Sequence, residues 1–384
     1  MSQTYKIRKG HNIKLIGDAP QKHLGAVASS TYAVSPLDFP GITPKLVVKA
    51  GTQVNAGDVL FYDKDRPEVL ICSPVSGEVT EIKRGAKRKI LQVIILADSD
   101  TKYADHGSFD LKSTNREATA AHFANTGVGA LITSRPYGVA ASMHELPRDI
   151  FVNGVQSGPL AGDLAYQLAG KETEVAAAIE ALSLMTAGKV YVSQDGDVPP
   201  LGLLSHEKAT SIQFTGKHPK GLVGTQIAQA APMNKGEIVW TVNAVDLPVI
   251  GHAFLTGSYA PTYRVAVAGS RAKNAGYATM TQGVGLSSFV STNINNDNTR
   301  MIAGDVLTGT TLEENGFLSF GKSQITAIPE GNSTEFFGWV LPGFGKFSTN
   351  RAFWSWLFPN RKYDLDTNIH GEERAFVVTG AVSY

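Results

Sequence analysis

The stretch VVKAGTQVNAGDVLFYDKDRPEVLICSPVSGEVTEI, residues 47–82, alternates strand-sized apolar runs with glycine turns. Between Val48 and Leu60, valines, glycines and a leucine recur every three residues. This spacing fits neither the two-residue period of a strand nor the period of about 3.6 residues of a helix. It predicts successive short hairpins, and we expect residues 42–97 to form a β domain of short strands.

The pattern changes after residue 111, where helices and strands alternate. One helix is predicted over residues 113–127, with Ser113 and Thr114 as capping residues and Gly127 at its end, and a second over 171–188. The segments DIFVNG, KVYVSQ, TSIQFTG and EIVWTVNAVD are the strand candidates around them. This alternation predicts an α/β layer domain.

Strands return after residue 258, in RVAVAG, YATMTQ, FLSFGKSQITAIPEG and EFFGWVLPG. They predict a small β-rich domain with room only for short helices. The following FSTNRAFWSWLFPNRKYD is aromatic and basic, and we expect it to pack on the body of the protein or on a partner.

Composition limits the possible functions. The 384 residues are 42% hydrophobic and carry a net charge of +1, which gives no electrostatic basis for nucleic-acid binding. The short basic run KRGAKRK, residues 83–89, is best explained as an exposed hairpin tip. No window approaches the ~20 apolar residues of a membrane helix, and no secretion signal is visible. Cys72 is the only cysteine, so internal disulfides and cysteine-held iron–sulfur clusters are excluded, and a cytoplasmic location is expected.

The glycine loop FTGKHPKGLVGTQI, residues 214–227, resembles a phosphate loop in spacing only. Gly216 and Gly221 are correctly spaced, but two apolar residues follow where the loop needs lysine and a hydroxyl. The dinucleotide fingerprint Gly-x-Gly-x-x-Gly is also absent. We interpret Gly216, Gly221 and Gly224 as positions of close backbone packing, with docking of a partner as the alternative.

Other catalytic and metal-binding patterns are weak. The histidines form no His-x-x-x-His pair, and no Gly-x-Ser-x-Gly elbow is present, so neither a metal site nor a catalytic residue is predicted. Asp195 and Asp197 could bind calcium, but a turn built on Asp-Gly is the better interpretation. Residues 47–82 resemble biotinyl and lipoyl carrier domains. Arg66 stands in the register of their modified lysine and Lys64 lies two residues too early, so we predict an unmodified domain.

Several segments together resemble a known family. In chain order they read IRKGHNIKLIGDAP, SPVSGEVTEIKRGAKRKI, LITSRPYG, GKHPKGLVGTQI, RMIAGDVLTG, FFGWVLPGFGKFS and GEERAFVVTG. They are similar to the NqrA family, a subunit of the bacterial sodium-translocating NADH:quinone oxidoreductase, over nearly the whole chain. The resemblance implies a peripheral subunit, on the cytoplasmic face of the inner membrane, of a six-subunit complex that passes electrons from NADH to ubiquinone and exports Na⁺. It also implies that flavins and iron–sulfur centres belong to the partner subunits, and that the isolated chain is inactive.

The family resembles the flavin-binding subunit of respiratory complex I in domain order. The implied fold is multi-domain α+β, and its parts are a carrier-like barrel-sandwich hybrid (1–105), a Rossmann-like α/β domain (106–257), a ubiquitin-like SLBB β-grasp domain (258–335) and an aromatic and basic segment (336–384). In that relative a glycine-rich loop receives the flavin phosphate. Its counterpart here is GALITSRPYG, in which the side chains of residues 132–135 fill the glycine run. We therefore predict no bound FMN, and no other cofactor on this chain.

Two departures from the family pattern matter. Lys220 replaces an alanine, and Gln226 and Ala228 replace histidines, so a metal or proton role built on those histidines is not expected here. Residue Tyr384 ends the sequence where family members continue into a helical C-terminal domain, so we expect a further domain beyond it.

A quinone site should be a concave, mostly apolar pocket with few polar anchors. Its candidate residues are Leu37 and Phe39 in VSPLDFPG, together with Arg135, Pro136 and Tyr137. Arg135 or Tyr137 could hydrogen-bond a quinone carbonyl. The alternative is that these segments are packing loops between domains, or docking loops for membrane subunits of a complex without any ligand here.

Overall fold

The computed structural model describes residues 3–332, 336–338, 340–347, 351 and 353–368. The strands in these residues are β1 Gln3–Ile7, β2 His23–Val27, β3 Thr31–Val34, β4 Pro44–Leu46, β5 Gln53–Val54, β6 Val59–Asp63, β7 Arg66–Cys72, β8 Gly77–Arg84, β9 Ile90–Ala97, β10 Thr133–Arg135, β11 Val139–Ala140, β12 Ile150–Gly154, β13 Val190–Asp195, β14 Ala209–Gly216, β15 Val239–Asn243, β16 Thr262–Ala268, β17 Gly276–Thr281, β18 Thr299–Ala303, β19 Thr310–Thr311 and β20 Gln324–Pro329. The α-helices are α1 Arg116–Asn125, α2 Leu164–Leu168, α3 Glu172–Ser183, α4 Val223–Ala230, α5 Leu247–Thr256 and α6 Ser287–Asn293.

The predicted hairpins form the first domain. Its two sheets have the strand orders β3-β9-β8-β5 and β4-β6-β7. Its apolar side chains include Leu60, Phe61 and Val79, all of which are fully buried. The basic run 83–89 connects β8 and β9 and is mostly exposed, which confirms the predicted hairpin tip.

The α/β domain has a seven-stranded sheet in the order β1-β14-β13-β12-β15-β10-β11. The first five strands are parallel, and β10 and β11 add an antiparallel edge. Helix α1 begins later than predicted: its N-cap is Asn115, whose side chain accepts a hydrogen bond from Ala118 N at 2.9 Å, and neither Ser113 nor Thr114 takes this position. Asparagine is as good a capping residue as serine, so the sequence alone did not separate them.

The β-grasp domain has the strand order β19-β18-β20-β16-β17-β2, with α6 following β17 in the chain. The prediction of a strand in EFFGWVLPG is wrong for its described residues, since 336–338 and 340–341 lie in turns and bends. Glycine and proline at Gly338, Pro342 and Gly343 favour such turns over a strand.

The first strands of the chain join sheets formed much later in sequence. β1 pairs in parallel with β14, and β2 pairs in parallel with β17. Both strands precede the barrel yet belong to the sheets of the other two domains. The boundary at residue 105 stays a prediction, but the contacts show that residues 3–27 tie the domains together.

Candidate functional site

A crevice opens where the parallel strands β12 and β15 end side by side. In the sheet, β13 lies on one side of β12 and β15 on the other, so the strand order reverses at this point. Ligands of open α/β sheets bind in such crevices, outside the carboxyl ends of the strands. The cavity measures about 280 Å³ and is lined by residues after β12, by the glycine loop, and by β-grasp residues 304–308 and 321–324. The crevice therefore lies between the α/β and β-grasp domains.

Hydrogen bonds hold the glycine loop against the segment that follows β12. Gly221 N donates to Ser157 Oγ at 2.9 Å, and His218 Nδ1 lies 2.9 Å from the same hydroxyl. Asn153 Nδ2 donates to Gly221 O at 2.9 Å. A Cβ added at Gly221 would lie 2.6 Å from Ser157 Oγ and 2.8 Å from Val155 O, so only glycine fits there without a shift of the backbone.

The three glycines of the loop differ in what surrounds them. Gly216 has a φ of +105°, and an added Cβ would lie 2.2 Å from Ile7 O in β1. Gly224 has no atom within 4 Å of an added Cβ. Close packing therefore requires glycine at Gly216 and Gly221 but not at Gly224. A docking role for the loop stays a prediction.

Five backbone amides of this loop are bonded inside the protein. Their acceptors are Asp197 Oδ2 for Gly216, Asn12 Oδ1 for His218, Lys217 O for Lys220, Ser157 Oγ for Gly221 and Pro219 O for Leu222. A phosphate loop works because such N–H groups point at the ligand. These five amides are therefore not open to an anion, and the loop also lacks the lysine and the hydroxyl that a phosphate loop needs.

Lys220 occupies the place of a cation between two aspartates. Its Nζ lies 2.6 Å from Asp195 Oδ1 and 2.7 Å from Asp197 Oδ2. Burial lowers the pKa of Lys220, but the hydrogen bonds and charges of the two aspartates outweigh this effect and raise it. Asp197 N also donates to Asp195 Oδ1 at 2.9 Å, as in the predicted Asp-Gly turn. The pair thus holds an ammonium group where calcium was the alternative.

Gln226 is a buried structural amide. Its Nε2 donates to Asn153 Oδ1 at 2.9 Å and to Lys220 O at 3.0 Å, and its Oε1 accepts from Ser193 Oγ at 2.8 Å. An amide has no titratable proton, so this position carries out no proton transfer in this chain.

A second cavity, of about 260 Å³, lies beside the crevice and shares Val245 and Ser323 with it. We call the contact that contains both cavities the interdomain joint. Its centre is Gln167 in α2, which is buried. Gln167 Nε2 donates to Arg264 O and to Ser323 O, both at 3.0 Å, and its Oε1 accepts from Gln156 Nε2 at 3.0 Å. One amide thereby holds two β-grasp carbonyls against the α/β domain.

Two acids lie at the contacts with the β-grasp domain, Asp246, which is buried, and Asp38, which is half-buried. Burial raises the pKa of Asp246 to about 6, although Tyr263 donates a hydrogen bond to its Oδ1 at 2.9 Å. Burial also raises the pKa of Asp38 to about 6, opposed by the hydrogen bond from Phe320 N and the charge of Lys322. Each carboxyl connects the β-grasp domain to another part of the chain, Asp246 from the start of α5 and Asp38 from residues 34–41.

The structure brings together the two segments predicted to meet quinone. A Cβ added at Gly41 would lie 2.3 Å from Val139 Cγ1. Arg66 links the two segments, because its guanidinium donates to Ala140 O in one and to Gly41 O in the other. The same guanidinium pairs with Asp63 at 2.8 Å. We call residues 34–41 and 133–140 the paired-loop surface. The residue in the register of the carriers' modified lysine here fastens two loops.

The five candidate residues of this surface differ in exposure. Leu37 is 55% exposed and Tyr137 79% exposed, and Pro136 is also exposed. Phe39 lies in the core, where its ring packs on Phe61 and Phe320, so it is closed to a ligand from solvent. Arg135 Nε is buried and has no hydrogen-bond partner among the described residues. None of the five lines either cavity of the interdomain joint.

The segment predicted as the counterpart of a flavin loop contains strand β10, which lies between β15 and β11 in the sheet. Residues Thr133–Arg135 form β10, which pairs with β15, and the side chain of Ile132 before it is fully buried. Ser134 Oγ donates to Glu145 Oε2 at 3.1 Å. Side chains rather than open backbone therefore occupy this position. Burial also raises the pKa of the Cys72 thiol to about 12, so a thiolate ligand does not form at neutral pH.

The part of the chain that the structure describes contains no group of three or more His, Cys, Asp or Glu side chains arranged to hold a metal ion. It also contains no helix that is long and apolar enough to cross a bilayer.

Three family models match consecutive parts of the chain. Residues 5–98 match the NqrA N-terminal barrel-sandwich hybrid domain, 114–259 the NqrA second alpha/beta domain, and 264–314 the NQRA C-terminal domain. The corresponding subunit of the Na(+)-translocating NADH-quinone reductase of Vibrio atlanticus (strain LGP32) is 30% identical over 378 residues, which cover 97% of this chain and 84% of the relative. The chain belongs to the NqrA family. The predicted family and fold class are confirmed.

Other relatives in the NqrA family agree. The proteins of Yersinia pestis bv. Antiqua (strain Angola) and Hahella chejuensis (strain KCTC 2396) are each 30% identical over 98% of this chain and over 84% and 85% of their own lengths. Among solved structures, the NAD⁺-reducing [NiFe]-hydrogenase in the H2-reduced state gives a TM-score of 0.40 at 15% identity, over 60% of this chain and 52% of that chain.

The residues that build the joint were missed from the sequence. Asn153 lies near the end of the predicted strand DIFVNG and Ser157 follows it, and the strand-end position of Asn153 was a usable signal, since ligand crevices form at strand ends. Gln167 had no such signal, because its three partners lie in parts of the chain up to 156 residues away.

Proposed function

We propose that this chain is the peripheral subunit of a membrane complex that transfers electrons from NADH to ubiquinone and couples the transfer to Na⁺ export. Its relatives are named as subunits of Na(+)-translocating NADH-quinone reductase. In this proposal the chain holds no cofactor, and flavins and iron–sulfur centres lie on partner subunits. Three features support this part of the proposal: strand β10 in place of a flavin loop, the five bonded amides of the glycine loop, and the buried thiol of Cys72. The proposed location is the cytoplasmic face of the inner membrane.

The paired-loop surface is the observation that carries the proposed role. Leu37, Arg135, Pro136 and Tyr137 form one wall of the quinone-reducing site. A binding pocket buries most of its ligand, whereas Leu37 and Tyr137 stand open to solvent, so a membrane-embedded subunit supplies the opposite wall. Arg135 is partly exposed and Tyr137 is exposed, and one of these two residues donates to a quinone carbonyl. Phe39 supports the loop from the core. The isolated chain accordingly has no activity and no saturable quinone binding.

The same exposure favours a second candidate function, which is docking without any ligand. An exposed apolar residue and an exposed tyrosine on two fastened loops also suit a contact with a membrane subunit. In that case the surface holds the complex together and the quinone binds elsewhere.

The test compares quinone reduction with assembly in the whole complex. The double substitution Arg135→Met and Tyr137→Phe removes the hydrogen-bond donors of both side chains and keeps most of their bulk. We expect quinone reduction to fall about tenfold, because a bond from a charged donor is lost, while NADH oxidation by a soluble artificial acceptor is unchanged. Lys87→Gln on the exposed hairpin tip is the control and should change neither rate. Unaltered quinone reduction by an assembled double variant would leave the docking function.

A further inference from the structure

Exposed aromatic side chains are concentrated in one part of the molecule. Of the twenty large apolar side chains that are exposed among the described residues, nine lie in residues 336–358, and the other eleven are scattered over residues 16–307. Phe336 is 84% exposed, and Trp354 and Trp356 are 57% and 50% exposed. An exposed apolar cluster of this kind marks an interaction surface. Within the predicted segment 336–384, we call residues 336–363 the aromatic-basic segment.

The segment is held to the body in a way that turns its tryptophans outward. Phe353 and Ser355 are buried, whereas Trp354 and Trp356 between and after them are exposed. Tyr363 is buried and pairs with Leu15, with Tyr363 N donating to Lys14 O at 2.8 Å and Ile16 N to Tyr363 O at 3.0 Å. Anchoring on alternate residues therefore fixes the segment and leaves one face of it open.

Three aromatic rings of the open face lie close to one another. The ring of Phe344 lies 5.9 Å from that of Trp354 and 6.4 Å from that of Phe358. Arg351 lies over the ring of Trp356 at 5.7 Å, and the Arg361 guanidinium donates to Phe344 O at 3.0 Å. Guanidinium groups thus border the aromatic rings.

The charge of this segment has one sign. Residues 336–363 contain four basic residues, Lys346, Arg351, Arg361 and Lys362, and no Asp or Glu, while Glu335 before them and Asp364 and Asp366 after them are acidic. Lys14, which donates to Pro359 O at 2.9 Å, adds a further positive charge beside it. Lys362 is partly neutralised because it pairs with Asp18. The surface that fits this face is therefore negatively charged.

We propose that the aromatic-basic segment rests on the surface of an anionic lipid bilayer. Tryptophan and other aromatic rings settle at the boundary between headgroups and acyl chains, and neighbouring Lys and Arg are attracted to anionic headgroups. The four-residue helical turn Trp354–Leu357 is too short to enter the bilayer core and lies on its surface. The basic hairpin tip of residues 83–89 lacks the aromatic half of this combination. The inference rests on the proposed function and extends it, because it gives this subunit its own contact with lipid.

The experiment is co-sedimentation of the full chain with vesicles, read also by tryptophan fluorescence. We expect binding to vesicles that contain phosphatidylglycerol and phosphatidylcholine, little binding to phosphatidylcholine alone, and weakening by salt. Trp354→Ala with Trp356→Ala should weaken binding about tenfold or more. Arg351→Gln with Arg361→Gln should weaken it on anionic vesicles only.

The matched controls change similar residues elsewhere. Leu146→Ala with Val198→Ala removes two exposed but isolated apolar side chains, and Lys87→Gln with Arg88→Gln removes two exposed charges. Neither control pair should alter vesicle binding. Absence of binding by the unaltered chain overturns the proposal. If the tryptophan variant also fails to join the complex, the surface serves a protein partner instead. Quinone reduction by the complex is measured separately, so failure of the lipid contact is distinguishable from failure of the proposed function.

Discussion

The interdomain joint and the aromatic-basic segment place their side chains in opposite ways. In the joint, a polar side chain, Gln167, is buried and all of its bonds are made by groups of the same chain. In the segment, the large apolar side chains of Trp354 and Phe336 are exposed. A buried amide with complete bonding fixes one arrangement of two domains, whereas exposed rings gain free energy only from something outside the chain. This difference separates what holds the subunit together from what it offers to others.

The largest expected effect is at the glycine loop beside the joint. Gly221→Ala places a Cβ against Ser157 Oγ and the carbonyl of Val155, and we expect a loss of about 3 kcal/mol in the free energy of unfolding. Gly224→Ala is the matched control in the same loop, where open space and helical backbone predict no loss or a gain of up to about 1 kcal/mol. Denaturant unfolding of both variants measures this difference. Equal stabilities would contradict the packing assigned to Gly221.

A smaller loss is expected at the centre of the joint. Gln167→Leu leaves two β-grasp carbonyls and the Gln156 amide without their partner, which should cost about 2 kcal/mol. Gln229→Leu, an exposed position in α4, should change stability by less than about 0.5 kcal/mol. Thermal unfolding compares the two. A similar small change in both variants would show that the joint does not depend on this amide.

The pH dependence of the free energy of unfolding tests the raised pKa of the half-buried Asp38 carboxyl. Its pKa is about 6 in the folded protein against an ordinary 3.8, so the folded state keeps a proton that the unfolded state loses. This contribution to stability is complete below pH 3.8 and is lost as pH rises through about 6. Asp38→Asn should match the unaltered chain at low pH and exceed it by about 1 to 2 kcal/mol at pH 7.

Asp246 contributes a pH dependence of the same sign and remains in the Asp38→Asn variant, so the slope should shrink rather than vanish. Unfolding by urea at several pH values measures both slopes. An unchanged slope would show that Asp38 is not desolvated at its contact with Phe320.

The smallest effect on stability is expected from substitution of the exposed tryptophans in the aromatic-basic segment. Trp354→Ala with Trp356→Ala removes exposed rings, so the free energy of unfolding should change by less than about 0.5 kcal/mol per residue. Phe353→Ala, one position away but buried, should cost about 3 kcal/mol. The contrast is measured by urea unfolding without lipid. A large loss in the tryptophan variant would mean that these rings support the fold itself.

Local patterns in the sequence predicted most of the elements, and contacts between distant residues account for what they missed. The hairpins around residues 83–89 and the helix over Glu172–Ser183 follow from turns and periodicity within a few residues. The failed phosphate-loop motif was recognised from its missing lysine and hydroxyl. The bonding of its amides to Asn12 and Ser157 was not predictable, because these partners come from separate parts of the chain.

The paired-loop surface shows the same division. Leu37 and Phe39 are two residues apart and both apolar, and no local pattern distinguishes them. Only the packing of Phe39 on Phe61 and Phe320 separates the buried ring from the exposed leucine. Sequence therefore identified the loops, while the three-dimensional contacts decided which side chains face solvent.

The pairing of β1 with β14 has a consequence for synthesis on the ribosome. Strand β1 is made first, but its partner residues, such as Ile212 opposite Gln3, emerge more than two hundred residues later. β2 waits even longer for β17. The barrel can close while both strands still lack partners, and such late, long-range pairing slows folding. The residues that are synthesised first are thus among the last to pair, and until they do, β14 and β17 each lack a neighbouring strand on one side.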